Sequence, residues 1–337
     1  MLTSFRKLLR TTGNNYIECS LNYFIYYALH AAVGNYSSSI LQFRGIDSKS
    51  IGQIRAVFSF LSIFSPYLCN AFIAKYDYNN HRAQVVRVGI CASTAFAILF
   101  TISSSFGWFA ISLGGFFFLF HGLGSQYEVI VIDTLGTSEY ARVRLWGSVG
   151  YIFGILVCGQ VVETYQAEAA CVVILMLCAL TSYVTFRLPN STPTTFTSSS
   201  NMFKEQFSLW PVLSARRFIL FASSIFLLSI SLGTYGGFFI IYLTSLGYSD
   251  TQASAALAAG VISELIMFVY AEQVFQTFSP RDIGVVSLAA TAFRWYAMSA
   301  WVESSALLLL LVQALHALTF SLIHTLCIKF FANHFRG

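Results

Sequence analysis

A chain of 337 residues that is 56% hydrophobic and 10% charged, with a mean hydropathy of +0.68, is not a water-soluble domain, in which about a quarter of residues are charged. It reads as an all-α integral membrane protein embedded in a lipid bilayer. The net charge of +5 does not mark a nucleic-acid binder, because the basic residues are scattered among loops rather than gathered on one surface.

The N-terminal stretch MLTSFRKLLR is basic and precedes an apolar run, as in a signal peptide. That run continues past Tyr36, contains Asn22 and His30 and offers no small-residue cleavage site, so an uncleaved first helix is expected. A spanning helix needs about 20 mostly apolar residues. Ten stretches qualify: 16–36, 52–74, 85–105, 108–133, 145–163, 168–187, 217–243, 252–273, 283–302 and 305–329. The seven cysteines include no C-x-x-C pair and nearly all lie in these apolar runs, as small hydrophobes rather than metal ligands or disulfide partners.

Connections are short except for the Ser/Thr/Pro-rich stretch 188–216. It divides the chain into an N-terminal lobe of six spans (1–187), a cytoplasmic linker (188–216) and a C-terminal lobe of four spans (217–337). With the N-terminus inside, fifteen basic residues fall on the inner side and only Arg44, Lys49 and Arg55 on the outer. The positive-inside rule therefore expects both termini in the cytoplasm of a multi-pass plasma (inner) membrane protein. Leu41–Gly52 matches Leu243–Ser254 at an offset of 202, pairing Gly45 with Gly247 and, upstream, Gly34 with Gly236. Such a match after the first span of each half is the mark of a two-lobed, duplicated transporter.

Ionisable residues inside apolar helices are costly and normally face a protein interior or a water-filled path. Glu264, Arg294 and His316 fall on three consecutive spans, each about 11 or 12 residues in, so roughly 16–18 Å deep at 1.5 Å per residue. A carboxylate, a guanidinium and an imidazole at one depth can satisfy one another, as a proton site or as a static ion pair that fixes packing. In the first half, His121 and Glu128 share a face of the fourth span, and Asp133 lies about 140° round from Glu128. Arg144, at the start of the fifth span, offers a planar fork for a carboxylate or a solute hydroxyl. Trp146 and Tyr151 follow it with aromatic faces. The first span carries Asn22, Tyr23, Tyr26, Tyr27 and His30 and should face a cavity. The candidate solute-binding residues are therefore Glu128, Arg144, Tyr151, Asn22, Tyr26, His30 and His121, with Asp133 as an alternative acid. No HExxH, P-loop, Ser-Gly or paired-Asp protease pattern occurs, which argues against an enzyme. Without a nucleotide loop, uphill transport would draw on an ion gradient; no cofactor or metal is implied.

Tyr140–Tyr151, YARVRLWGSVGY, resembles the YGxxRLWGSxGF signature of the phenylpropionate-permease-like branch of the major facilitator superfamily. GYSDTQASAALAAGVISELIMF, SPRDIGVVSLAATAFRWYAM and LLLVQALHALTFSLIH resemble the eighth to tenth helices of that branch in order and spacing. The resemblance implies two six-helix lobes; here the chain ends just after the tenth helix, FANHFRG, so the last two helices are expected to be missing. The more distant lactose permease implies that Arg144 binds the solute, that Tyr151 stacks on it and that an acid on the fourth helix, Glu128 or Asp133, joins them. It likewise implies a proton role for Glu264, Arg294 and His316, but Thr319 stands where that permease has a further carboxylate. In the loop after the second helix, Asn70 and Ala74 replace the family's Gly and Asp, with Asp77 nearby. The expectation is a monomeric, proton-coupled symporter of a small organic solute (an aromatic acid such as phenylpropionate, a sugar or a nucleoside) working by alternating access. The rival is a truncated, non-transporting remnant or a membrane scaffold protein.

Overall fold

A computed structural model describes residues 13–76, 78–189 and 214–334; most of the 188–216 linker, and Asp77, lie outside them. The described residues form helices and no strands. The first compact unit, Met1–Met202, holds α1 (Asn14–Phe43), α2 (Ser48–Lys75), α3 (Arg82–Ile102), α4 (Phe106–Leu135), α5 (Thr137–Tyr165) and α6 (Ala170–Thr185). The second, Phe203–Gly337, holds α7 (Arg216–Ser245), α8 (Asp250–Thr277), α9 (Pro280–Ala300), α10 (Ala306–Ala314) and α11 (Leu322–His334). A π turn, Ala317–Ser321, joins α10 to α11, and the two make one span. Among the described residues, eight spans are long and apolar enough to cross a membrane, Ala306–Phe330 among them. The other two long helices, α1 (30 residues) and α9 (21 residues), have the length but carry more polar side chains, including the candidate residues Asn22, His30 and Arg294.

Two helices overrun their apolar runs by about two turns at one end. α1 continues through Ser37 and Ser38, both buried, to Phe43. α5 was expected to start at residue 145 but starts at Thr137, so Arg142 and Arg144 are helical. The break between α4 and α5 is a single residue, Gly136, at φ +83°, a conformation that costs glycine nothing. The first turn of α5 holds a Glu139–Arg142 pair (3.0 Å) with its acid toward the helix N-terminus, where the helix dipole favours it.

The repeat has a geometric counterpart. After α1, Gly45 N–H donates to Gln42 O and Ile46 N–H to Leu41 O; after α7, Gly247 N–H donates to Thr244 O and Tyr248 N–H to Leu243 O. Both helices thus end in the same Schellman closure, with glycine at φ +81° and +89°.

Within the first unit, α1 lies along α5, with α2 and α3 against α4 and α6 against α1 and α3. The glycines of WGSVGYIFG set the α1–α5 distance, because a Cβ at Gly154 would stand 2.4 Å from Ala28 O, and one at Gly147 would stand 2.7 Å from the Tyr27 ring. Small residues at such a seam let backbones approach where no hydrophobic force drives helices together in lipid. In the second unit α8 packs on the π turn and α10, and α9 on α11. Gly260 on α8 leaves room there, its Cβ direction facing the Tyr235 hydroxyl at 3.3 Å and the His316 ring at 3.5 Å.

Candidate functional site

Each unit brings candidate residues into a polar cluster. In the second unit Arg294 is 2% exposed and among the largest buried side chains of the protein. Its NH2 donates to Gln313 Oε1 (2.6 Å), its NH1 faces His316 Nδ1 (3.3 Å), and its Cζ lies 4.3 Å from the centre of the Tyr235 ring. Tyr235 O–H donates to the same Gln313 oxygen (3.2 Å), and Gln313 Nε2 donates to Met298 Sδ (3.1 Å). On its other side, His316 Nε2 stands 3.9 Å from Glu264 Oε2. Thus α8, α9 and the tenth span do bring Glu264, Arg294 and His316 together, with His316 in the middle.

The Arg294 contact favours one imidazole tautomer. A guanidinium has donors only, so Nδ1 must accept from Arg294, and the ring proton of neutral His316 sits on Nε2, toward Glu264. Thr319 Oγ1, 3.3 Å from Nδ1, is on the Arg294 side of the ring. Gln313 and Tyr235 were not among the candidate residues. A glutamine one turn before the histidine, in the apolar run ALLLLLVQALH, was the available signal.

In the first unit Arg144 NH1 donates to Glu128 Oε1 (3.1 Å) and to Tyr140 Oη (2.7 Å), with the Arg144 and Glu128 side chains 47% and 41% exposed. About two turns along the same helices, seven residues from Arg144 and from Glu128, are Tyr151 and His121. Here His30 of α1 contacts His121 edge-on (5.4 Å), Tyr151 (6.2 Å) and Phe117 (6.3 Å). Asn35 Nδ2 donates to Tyr151 Oη (3.1 Å). Tyr26 stacks on Phe120 (3.9 Å, planes 3° apart) and donates to its carbonyl (2.6 Å). The stripe therefore has an ion pair at one level and a group of rings at the next.

Three residues depart from expectation. Arg55, counted with the outer loop, lies in α2; its NH1 donates to Gly34 O and Ser38 Oγ of α1, both 3.1 Å, and its guanidinium lies 5.1 Å from the Phe58 ring. Asn22 is 2% exposed and donates to Glu18 O (2.8 Å) and Val184 O (3.1 Å), fastening α1 to α6 rather than joining the ring group. Asp133 interacts electrostatically with Arg82. Arg82 in turn donates to Gln126 Oε1 (2.6 Å), and Gln126 Nε2 to Asn70 Oδ1 (2.8 Å). Of the two candidate acids, Glu128 pairs with Arg144, and Asp133 belongs to this separate α2–α3–α4 network.

The MFS_1 like family matches over residues 16–337. The chain is 26% identical over 321 residues to the probable 3-phenylpropionic acid transporter of Escherichia coli (strain K12), an alignment covering 93% of this chain and 81% of that protein. Among solved structures, it is similar to the nucleoside transporter NupG, with a TM-score of 0.81 at 14% identity, covering 96% of this chain and 84% of the other. A D-xylose-proton symporter gives a TM-score of 0.60 at 13% identity, covering 91% and 79%. At these identities the structural likeness concerns the fold.

Proposed function

The chain belongs to the MFS_1 like family and is a multi-pass membrane protein, and on that premise we propose that it is a proton-coupled symporter of a small organic solute. The observation that carries the coupling is the Glu264–His316–Arg294 arrangement in mid-helix, with the buried His316 in reach of both its neighbours. Glu264 takes up and releases the proton. His316, with its Nε2 proton toward Glu264, hands that proton over or accepts hydrogen-bonding from the protonated acid. Arg294, held by Gln313 and Tyr235, supplies a fixed positive charge on the far side of the imidazole. Since Thr319 offers a hydroxyl where the lactose permease has a second acid, Glu264 carries the proton.

In the first unit the Arg144–Glu128 pair and the rings of His30, His121 and Tyr151 hold the solute, by a bidentate polar contact at one end and ring stacking at the other. An aromatic acid fits this pairing of guanidinium and rings; a sugar or a nucleoside would use the same groups through hydroxyls. Transport runs by alternating access in a monomer of the plasma (inner) membrane, with cytoplasmic termini.

The test uses the full chain in proteoliposomes, with 3-phenylpropionate, a nucleoside and D-xylose as probes. Glu264→Gln is expected to abolish uptake driven by a pH gradient while partly preserving exchange of preloaded solute. Equal loss of both activities would make Glu264 a structural residue and remove the proposal's support.

A further inference from the structure

One face of the tenth span carries a ladder of rings beneath the Arg294–His316 contact. His316 lies against Phe320 (centroids 5.6 Å), Phe320 stacks on His324 (5.9 Å, planes 25° apart), and His324 meets Phe268 of α8 edge-on (5.9 Å, 86°). In a regular α-helix an i, i+4, i+8 ladder drifts round the helix. Eight residues at 100° each overshoot two turns by about 80°, which would carry His324 off the face that His316 uses. The π turn Ala317–Ser321 is wider than an α turn and takes up the surplus; such turns recur at functional sites. Ser321 Oγ donates to the carbonyl of Glu264 (3.2 Å), tying the widened turn to α8 beside the carboxylate. Phe268, which touches His324, is one helical turn after Glu264, so His324 lies about 6 Å further along α8 than the acid. His316 is buried, whereas His324 is only partly so.

We propose that His324 is the proton-exchange residue between the Glu264–His316 pair and the membrane surface at which the tenth span ends. The inference rests on the proton-coupled reading above. In the step, the carboxyl proton of Glu264 passes through water to an imidazole nitrogen of His324, leaving a carboxylate and an imidazolium, and the imidazolium then gives its proton to bulk water. The charged neighbours suit that traffic. On α8 they are Glu264 on one side and the exposed Glu272 one turn past Phe268; on α9 they are Arg294 at the level of His316 and Arg281 near the helix start. On its own helix His324 has His316 behind it and Lys329 ahead, the latter over the Phe275 ring (4.3 Å). His324 acts through Glu264, as a positioning and relay group rather than a solute ligand.

The test has two readouts on the full chain. Histidine-selective 15N NMR in nanodiscs needs no solute. The imidazole signal absent from His324→Gln should titrate between about pH 5 and 8, and its midpoint should move by roughly half a pH unit or more in Glu264→Gln. A ring that stays in one state, or ignores Glu264→Gln, overturns the proposal. In proteoliposomes with 3-phenylpropionate as the probe, His324→Gln should slow pH-driven uptake about fivefold and shift its pH profile. Counterflow should stay within about twofold of wild type, and His324→Phe should behave alike. A wild-type pH profile in His324→Gln, beside a defective Glu264→Gln, overturns this inference alone. Solute movement without proton flux in the wild type overturns the coupling reading with it.

Discussion

Gly150 of α5 lies directly against the main chain of Phe24 of α1, so that an added Cβ would stand 2.0 Å from the Phe24 carbonyl oxygen. No side chain can give way there, because the obstacle is backbone. Gly150→Ala must therefore part the two helices, at a cost of about 3 kcal/mol or more. Its melting temperature in detergent should fall by roughly 5–10 °C. Gly233→Ala, where nothing lies within 4 Å, should hold steady or rise, since alanine suits a helix interior better than glycine. An unchanged Gly150→Ala would show that the seam is looser than described.

The Arg144–Glu128 pair is half-exposed, so its contribution to stability is expected below about 1 kcal/mol. Glu128→Gln should melt with the wild type yet take up 3-phenylpropionate about tenfold more slowly. Arg144→Lys keeps the charge but loses the planar fork and should be as defective. If stability falls in step with uptake, the pair is a structural brace and the solute site lies elsewhere.

Gln313 accepts from both Arg294 and Tyr235 through one oxygen. Gln313→Leu removes that acceptor and leaves a buried guanidinium short of a partner, at a cost of about 3 kcal/mol. Gln313→Glu restores an acceptor and should recover most of the lost melting temperature. Equal destabilisation by both would point to packing rather than hydrogen bonding.

The parts of this arrangement that could be read from the chain are those in which composition forces an outcome. A charge in an apolar run must find a partner, and a constant rise per residue sets its depth; that placed Glu264, Arg294 and His316 together in advance. Gln313 in its apolar run was a weaker signal, because an amide without charge does not name its partner, and Tyr235 gave none. The π turn was invisible as well: ALTFS contains no glycine or proline, and the bulge depends on how α8 packs against it. Arg55 was counted with the outer side because it lies within one turn of the expected start of the span at residue 52, whereas Asp47 caps α2 one turn earlier than hydrophobicity indicates. Glu128 and Asp133 could not be separated by spacing alone; their partners on α5 and α3 separate them.

That cap carries a pH dependence. Asp47 accepts from Ser50 Oγ (2.6 Å) and from the backbone N–H groups of Lys49 (3.0 Å) and Ser50 (3.1 Å). The Ser50 hydroxyl bond first, and the N–H bonds with it, hold its carboxyl below the usual carboxylate range. A depressed folded-state pKa means that the stabilisation is present above the unfolded value and is lost as pH falls through the folded one. The melting-temperature gap between wild type and Asp47→Ala should therefore be open at pH 7 and narrow toward pH 3. Asp47→Asn, which caps without ionising, should follow a flatter course. A gap independent of pH would mean that the carboxylate charge contributes nothing to the cap.

The single-residue joint at Gly136 makes α4 and α5 two arms of a crank on one bearing. No loop lies between them to absorb slack, and the Arg144–Glu128 pair crosses the joint as a strut. On the proposed function, a solute that takes over Arg144 would pull the strut and leave a joint whose backbone angles only glycine holds without strain.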